Sequence, residues 1–172
     1  MATSRPDRLA VFAGIATAWV LSLSFVWLGA PIAKRAVASH DWSAAQATAF
    51  AMMVAALTLI AGIGWAARTR NFSSNIDGSR PEAGSHLDIT LRYISNTTEQ
   101  LVLFSIACIC AAIIMPDVAR WLLPLMGCWF VLARAAFFFG YQYHPLARSV
   151  GFPATFHPTI VLTVYTLWRL FQ

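Results

Sequence analysis

Four long stretches of this sequence carry no charge. They lie between Arg8 and Lys34, Asp41 and Arg68, Glu99 and Asp117, and Arg148 and Arg169. A helix that crosses a bilayer needs about 20 mostly apolar residues. The first two stretches meet that length alone, and the others do once a polar residue is admitted at one end. Only 11% of the residues are charged and 59% are hydrophobic, whereas a soluble domain carries roughly 25% charged residues. So few charges cannot coat a water-facing surface. The sequence therefore predicts an all-α integral membrane helical bundle.

The net charge of +5 sits in the short loops, where it acts as a topology signal and meets lipid headgroups. No basic run with interleaved aromatics is present, so nucleic acid is not an expected partner. Cys108, Cys110 and Cys128 all lie in apolar stretches, with no CxxC pair and no His/Cys cluster. They read as small packing residues, and neither a disulfide nor a metal site is expected. The first apolar stretch is too long for the h-region of a signal peptide, so it is expected to be retained.

Five spans follow. Helix I runs from Leu9 to Ala30, ended by Pro31. Helix II runs from Ser43 to Ala67, with Asp41-Trp42-Ser43 as its cap. Its Ala44, Ala47, Ala51 and Ala55 repeat at helical spacing and offer a close-packing face. A polar loop from Arg68 to His86 leads to helix III, Leu87 to Met115. Helix IV spans Val118 to Tyr143. A loop through His144, Pro145, Arg148, Gly151 and Pro153 precedes helix V, Ala154 to Phe171. Outside the spans, Arg5, Arg8, Arg68, Arg70, Arg80 and Arg148 fall on one side. Lys34, Arg35, Arg120 and Arg169 fall on the other. The excess places the N-terminus and the first set in the cytoplasm, as in a multi-pass protein of a bacterial inner membrane or its equivalent.

Three polar residues of helix III are not explained as loop ends, and helix IV leads a second set. Arg92, Asn96 and Glu99 stand at i, i+4 and i+7, on one face of helix III. Ionisable groups in a membrane cost several kcal/mol unless paired, so this face should look into the bundle or a wet cavity. Arg134 lies mid-helix in helix IV, Tyr141 is two turns later, and Arg148 follows seven residues on. With this topology all six approach one membrane face, where they suit a small anionic ligand. The same spacing is also met by a network that only fixes helix packing.

The stretch Arg92-Tyr-Ile-Ser-Asn96-Thr-Thr-Glu99 resembles the RxxxNxxE signature of the MAPEG family, the membrane-associated proteins in eicosanoid and glutathione metabolism. Arg134-Ala-Ala-Phe137-Phe-Phe-Gly140-Tyr141 is similar to that family's third helix. Arg148 matches the spacing of the arginine that the leukotriene synthase branch uses on the glutathione thiol. The resemblance covers about residues 44–172. It implies a four-helix unit over 44–172, assembled as a homotrimer, with residues 1–43 adding one extra N-terminal transmembrane helix. It implies glutathione as co-substrate, held by Arg92, Asn96, Glu99, Arg134 and Tyr141, with Arg148 as the catalytic residue on the thiolate. A hydrophobic electrophilic or peroxidic small molecule would arrive from the lipid. Arg68 or Arg70 is a further candidate arginine at the site.

Three positions depart from the glutathione-using pattern: Phe137 replaces a tyrosine, Gln100 an aromatic, and Ile94 a polar side chain. They favour an alternative, a non-catalytic MAPEG-like membrane protein that binds a lipid or another ligand. A third reading is an unrelated small transporter or scaffold subunit in which Arg92 and Glu99 serve only structure.

Overall fold

The computed structural model describes the backbone of residues 5–72, 78–143 and 148–172, and the side chains of residues 9–72, 78–141 and 150–172. The described chain forms five helices: α1 (Arg5–His40), α2 (Ala44–Asn71), α3 (His86–Ile114), α4 (Pro116–Tyr143) and α5 (Arg148–Leu170). Without water to satisfy the backbone, a chain in lipid closes its hydrogen bonds within each helix. Among the described residues, four helices are long and apolar enough to cross a membrane, over 9–40, 44–71, 86–114 and 116–141. The protein is an integral, multi-pass membrane protein.

Packing follows the logic of a bundle in lipid. Large apolar side chains point outward, with Leu9, Trp27, Met53, Ile113 and Phe171 all well exposed on the described surface. Small residues fill the contacts. Ala47, Ala51 and Ala55 of α2 are completely buried, as their spacing predicts. A Cβ added at Gly127 of α4 would stand 2.7 Å from the Cα of Ala51, so the α2 and α4 backbones nearly touch. The α5 threonines Thr159 and Thr163 return their hydroxyls to the carbonyls one turn back, at 2.9 and 2.8 Å, which makes these polar groups self-sufficient in lipid.

Two helix boundaries differ from the sequence expectation. Pro31 does not end the first helix, which continues to His40. A proline removes only one backbone bond, and the residues beyond it carry the helix on. The stretch expected as a loop before helix V is helical from Arg148. Pro153 and Pro158 both lie inside it, each removing one backbone bond without ending the helix.

The ends are capped as the local sequence requires. Ser43 and Gln46 form a reciprocal capping box, with Ser43 N–H donating to Gln46 Oε1 at 2.9 Å and Gln46 N–H to Ser43 Oγ at 3.2 Å. Ser85 caps α3 through the Asp88 N–H. Met115 alone separates α3 from α4, and Pro116 opens the new helix.

The α1–α2 connection is tied to α4. Arg120 Nε donates to the Trp42 carbonyl at 2.6 Å and Nη2 to Asp41 Oδ1 at 3.1 Å. Asp41 has φ +46°, a left-handed conformation that a non-glycine residue holds only when its surroundings fix it. Arg120→Ala is expected to lower stability by about 1–2 kcal/mol, since a charged donor is lost from a partly shielded carbonyl. The midpoint of thermal unfolding in detergent measures it.

Helix α1 docks on α4 and α5. Trp19 stacks on His157 at 4.8 Å, and Phe25 lies tilted against Trp129 at 4.9 Å. Trp129 in turn donates its indole N–H to the Ala154 carbonyl at 2.7 Å. The extra N-terminal helix thus braces the α4–α5 pair from outside.

Candidate functional site

The polar residues singled out by sequence divide into three groups. The first is Arg134, at 0% exposure the largest completely buried side chain of the described structure. Its Nη2 donates to Asn96 Oδ1 of α3 at 3.0 Å, and its Nη1 to Thr155 Oγ1 of α5 at 3.3 Å. The Thr155 hydroxyl donates onward to the Phe152 carbonyl at 3.0 Å. The guanidinium also lies 4.2 Å from the Phe137 ring centroid and 5.6 Å from that of Tyr93. One arginine thereby joins α3, α4 and α5.

No carboxylate neutralises this guanidinium among the described residues, whose ion pairs are Arg92–Asp88 and Arg120–Asp41. Its partners are neutral oxygens and aromatic faces. Arg134 Nε, Gln100 Oε1 and Thr97 Oγ1 are buried without a partner among the described residues. A buried charge held only by neutral groups is costly. The unmet Arg134 N–H can take an anion or acceptor, whereas Gln100 Oε1 calls for a donor.

The second group is Arg92 with Tyr141. Arg92 lies on the exposed side of α3, pairs with Asp88 at 3.0 Å, and also engages the Tyr141 phenol at the end of α4. This pair lies one helical turn from Asn96, toward the start of α3. The third group is what the single chain does not bring in. Glu99 shares the heptad face of Arg92, yet it is exposed on the outside of α3 and contacts neither arginine. The side chain of Arg148 lies outside the described residues, although its backbone begins α5.

Sequence reasoning missed Tyr93 and Thr155. Tyr93 is 4% exposed, donates its hydroxyl to the Thr58 carbonyl at 3.2 Å, and packs between α2 and Arg134. Its signal was its place beside Arg92, one residue round the helix toward the core. Thr155 had none, because its stretch read as the bare start of a helix. Gln100 read as a lost ligand contact, yet it is 3% exposed on the inward face, one turn past Asn96. Cys108 is buried, whereas Cys110 and Cys128 are exposed.

These features define a class, a membrane-embedded helical bundle with a buried arginine-centred polar cluster near one end. The MAPEG family model matches residues 42–168, and the chain belongs to the MAPEG family. No curated protein and no solved structure matches the chain. The family match begins just before α2 and leaves α1 outside it.

Proposed function

We propose that this protein binds glutathione and transfers it to a hydrophobic electrophile, or uses it to reduce a lipid peroxide. The observation that carries this reading is the fully buried Arg134 guanidinium, held by Asn96 and Thr155 with no carboxylate beside it. An anionic peptide supplies the missing negative charge, and the Arg92–Tyr141 pair a turn away offers further donors to a second carboxylate. Arg148 is the residue assigned to the thiolate in this proposal, because a neighbouring guanidinium lowers a thiol's pKa from its ordinary value near 8.5. In conjugation, the sulfur forms a bond to the electrophilic carbon, and the leaving group or epoxide oxygen takes the electron pair and then a proton.

The active form in this proposal is a homotrimer. Support comes from Glu99, a carboxylate exposed on a helix that spans the membrane. A charge facing hydrocarbon costs several kcal/mol, so it calls for a neighbouring subunit's polar group. The four-helix unit from residue 44 onward carries the site, and the segment 1–43 is an added anchor.

The test is glutathione conjugation to a generic electrophile by purified protein, with Arg148→Ala beside it. Thiolate absorbance and turnover in the wild type, both reduced about tenfold or more by Arg148→Ala, fit the proposal. Neither signal in the wild type means the chemistry is absent. A second reading, a non-catalytic ligand-binding member, is favoured by one contact. The Phe137 ring lies 4.2 Å from the Arg134 guanidinium, where a tyrosine would add a hydroxyl.

A further inference from the structure

A groove of about 470 Å³ runs along the outside of the bundle between α2 and α4. Leu57, Ala61 and Trp65 form one wall, Ala135 and Phe139 the other, and Tyr93 the floor. It lies apart from the Arg134 cluster, separated by the Tyr93 ring itself. We infer that this groove holds one acyl chain of an anionic membrane phospholipid, whose phosphate is met by Arg68.

Three observations commit the groove to that occupant. The first is its chemistry. The two hydroxyls that line it are already spent, that of Tyr93 on the Thr58 carbonyl and that of Thr58 on the Ala55 carbonyl. Leu57, Trp65 and Phe139 remain 57%, 48% and 58% exposed, so the groove opens sideways into hydrocarbon. A lipid chain enters it without crossing water. Its volume lies within the range of small-molecule sites. It takes a single chain, while the second chain of the same lipid stays in the bilayer.

The second observation is how the groove is built. Gly62 of α2 lies against Tyr93, and a Cβ there would come within 2.8 Å of the ring's Cε1. The missing side chain lets Tyr93 recede toward α2, and the small Ala61 and Ala135 keep the walls apart.

The third is charge and register. The groove face of α2 carries residues 57, 61 and 65, and the helical period carries it on to Arg68 one turn further. Arg68 is exposed and makes no hydrogen bond or ion pair among the described residues. Trp65 precedes it by one turn, the order in which an interfacial aromatic and a headgroup cation are met when leaving a membrane. An anionic phosphate at that level completes the match. This inference gives Arg68 to the lipid and not to the glutathione site, for which the sequence offered Arg68 or Arg70.

Fluorescence quenching in vesicles tests it. The full-length protein is reconstituted in phosphatidylcholine with either brominated phosphatidylglycerol or brominated phosphatidylcholine. The Trp65 signal is taken as the difference from Trp65→Phe. The expected result is that brominated phosphatidylglycerol quenches Trp65 with about fivefold preference, the worth of one basic residue at an anionic leaflet. Arg68→Gln removes the preference, Arg68→Lys largely restores it, and Ala135→Phe, which fills the groove, reduces quenching by both lipids. Equal preference in Arg68→Gln and wild type overturns the assignment. So does Trp65 shielded from both lipids, which means a second copy covers the face. Stronger quenching by a brominated free fatty acid than by the phospholipid overturns the choice of occupant.

Discussion

Gly151→Val is expected to destabilise the protein by about 3 kcal/mol, while Gly64→Ala, equally helical, leaves it unchanged or slightly more stable. A Cβ at Gly151 would lie 2.5 Å from the N, Cα and Cβ of Phe137. Two of those atoms are backbone and the third is fixed to it, so no rotamer change relieves the clash. The α4 and α5 axes must separate instead, and overpacking of this kind costs about 1–3 kcal/mol, occasionally more. At Gly64 an added Cβ meets nothing within 4 Å, and alanine has the better helix propensity by about 1 kcal/mol. The consequence at Gly151 reaches the site. Thr155 stands one turn further along α5, and its hold on Arg134 at 3.3 Å does not survive a separation of the helices. Thermal unfolding followed by circular dichroism in one detergent compares the two variants directly.

The second large effect concerns Arg134 and has an unusual sign. Arg134→Met replaces a buried, un-neutralised guanidinium with an apolar chain of similar length. Replacing a buried charged group together with its partners is often neutral or stabilises by about 1–4 kcal/mol, because the desolvation penalty disappears, and here the partners left behind, Asn96 and Thr155, are neutral. Asn96→Leu in the wild type acts oppositely. It strips Arg134 of its 3.0 Å acceptor and leaves a buried charged donor unmet, for a loss of about 1–3 kcal/mol. In the Arg134→Met background the same Asn96→Leu change is nearly free. The coupling from the double-mutant cycle is therefore expected at about 1–3 kcal/mol, measured from denaturation midpoints of the four proteins. Independent effects of the two changes would mean that the cluster is not the unit described here.

The membrane bundle was legible because it rests on block composition, which needs no knowledge of neighbours. The alanine face of α2 was legible for a similar reason, since a repeat at helical spacing tells which side is crowded. Facing was harder. Arg92, Asn96 and Glu99 do share a stripe, but the bundle axis passes to one side of it. Asn96 meets Arg134 while Glu99 looks outward. A spacing of four and three residues defines a face without saying what lies opposite. Breakers misled twice for one reason. Pro31, Gly151 and Pro153 read as interruptions, yet in lipid a helix tolerates one missing bond better than an exposed end. Gly151 is present because the Phe137 backbone lies against it, a tertiary fact with no local signature. Tyr93 escaped because its role depends on Gly62, thirty-one residues away on another helix.

The proposed function makes Arg134 the cation of an anion-binding cluster rather than a packing residue. The most direct test is the thermal shift produced by millimolar glutathione in purified wild-type protein and in Arg134→Met, with unfolding followed in the same lipid nanodiscs. The expected result is that glutathione raises the wild-type midpoint and leaves that of Arg134→Met, folded and no less stable, where it was. Equal shifts in both proteins, or stabilisation of the wild type by lipid alone and not by glutathione, would contradict it.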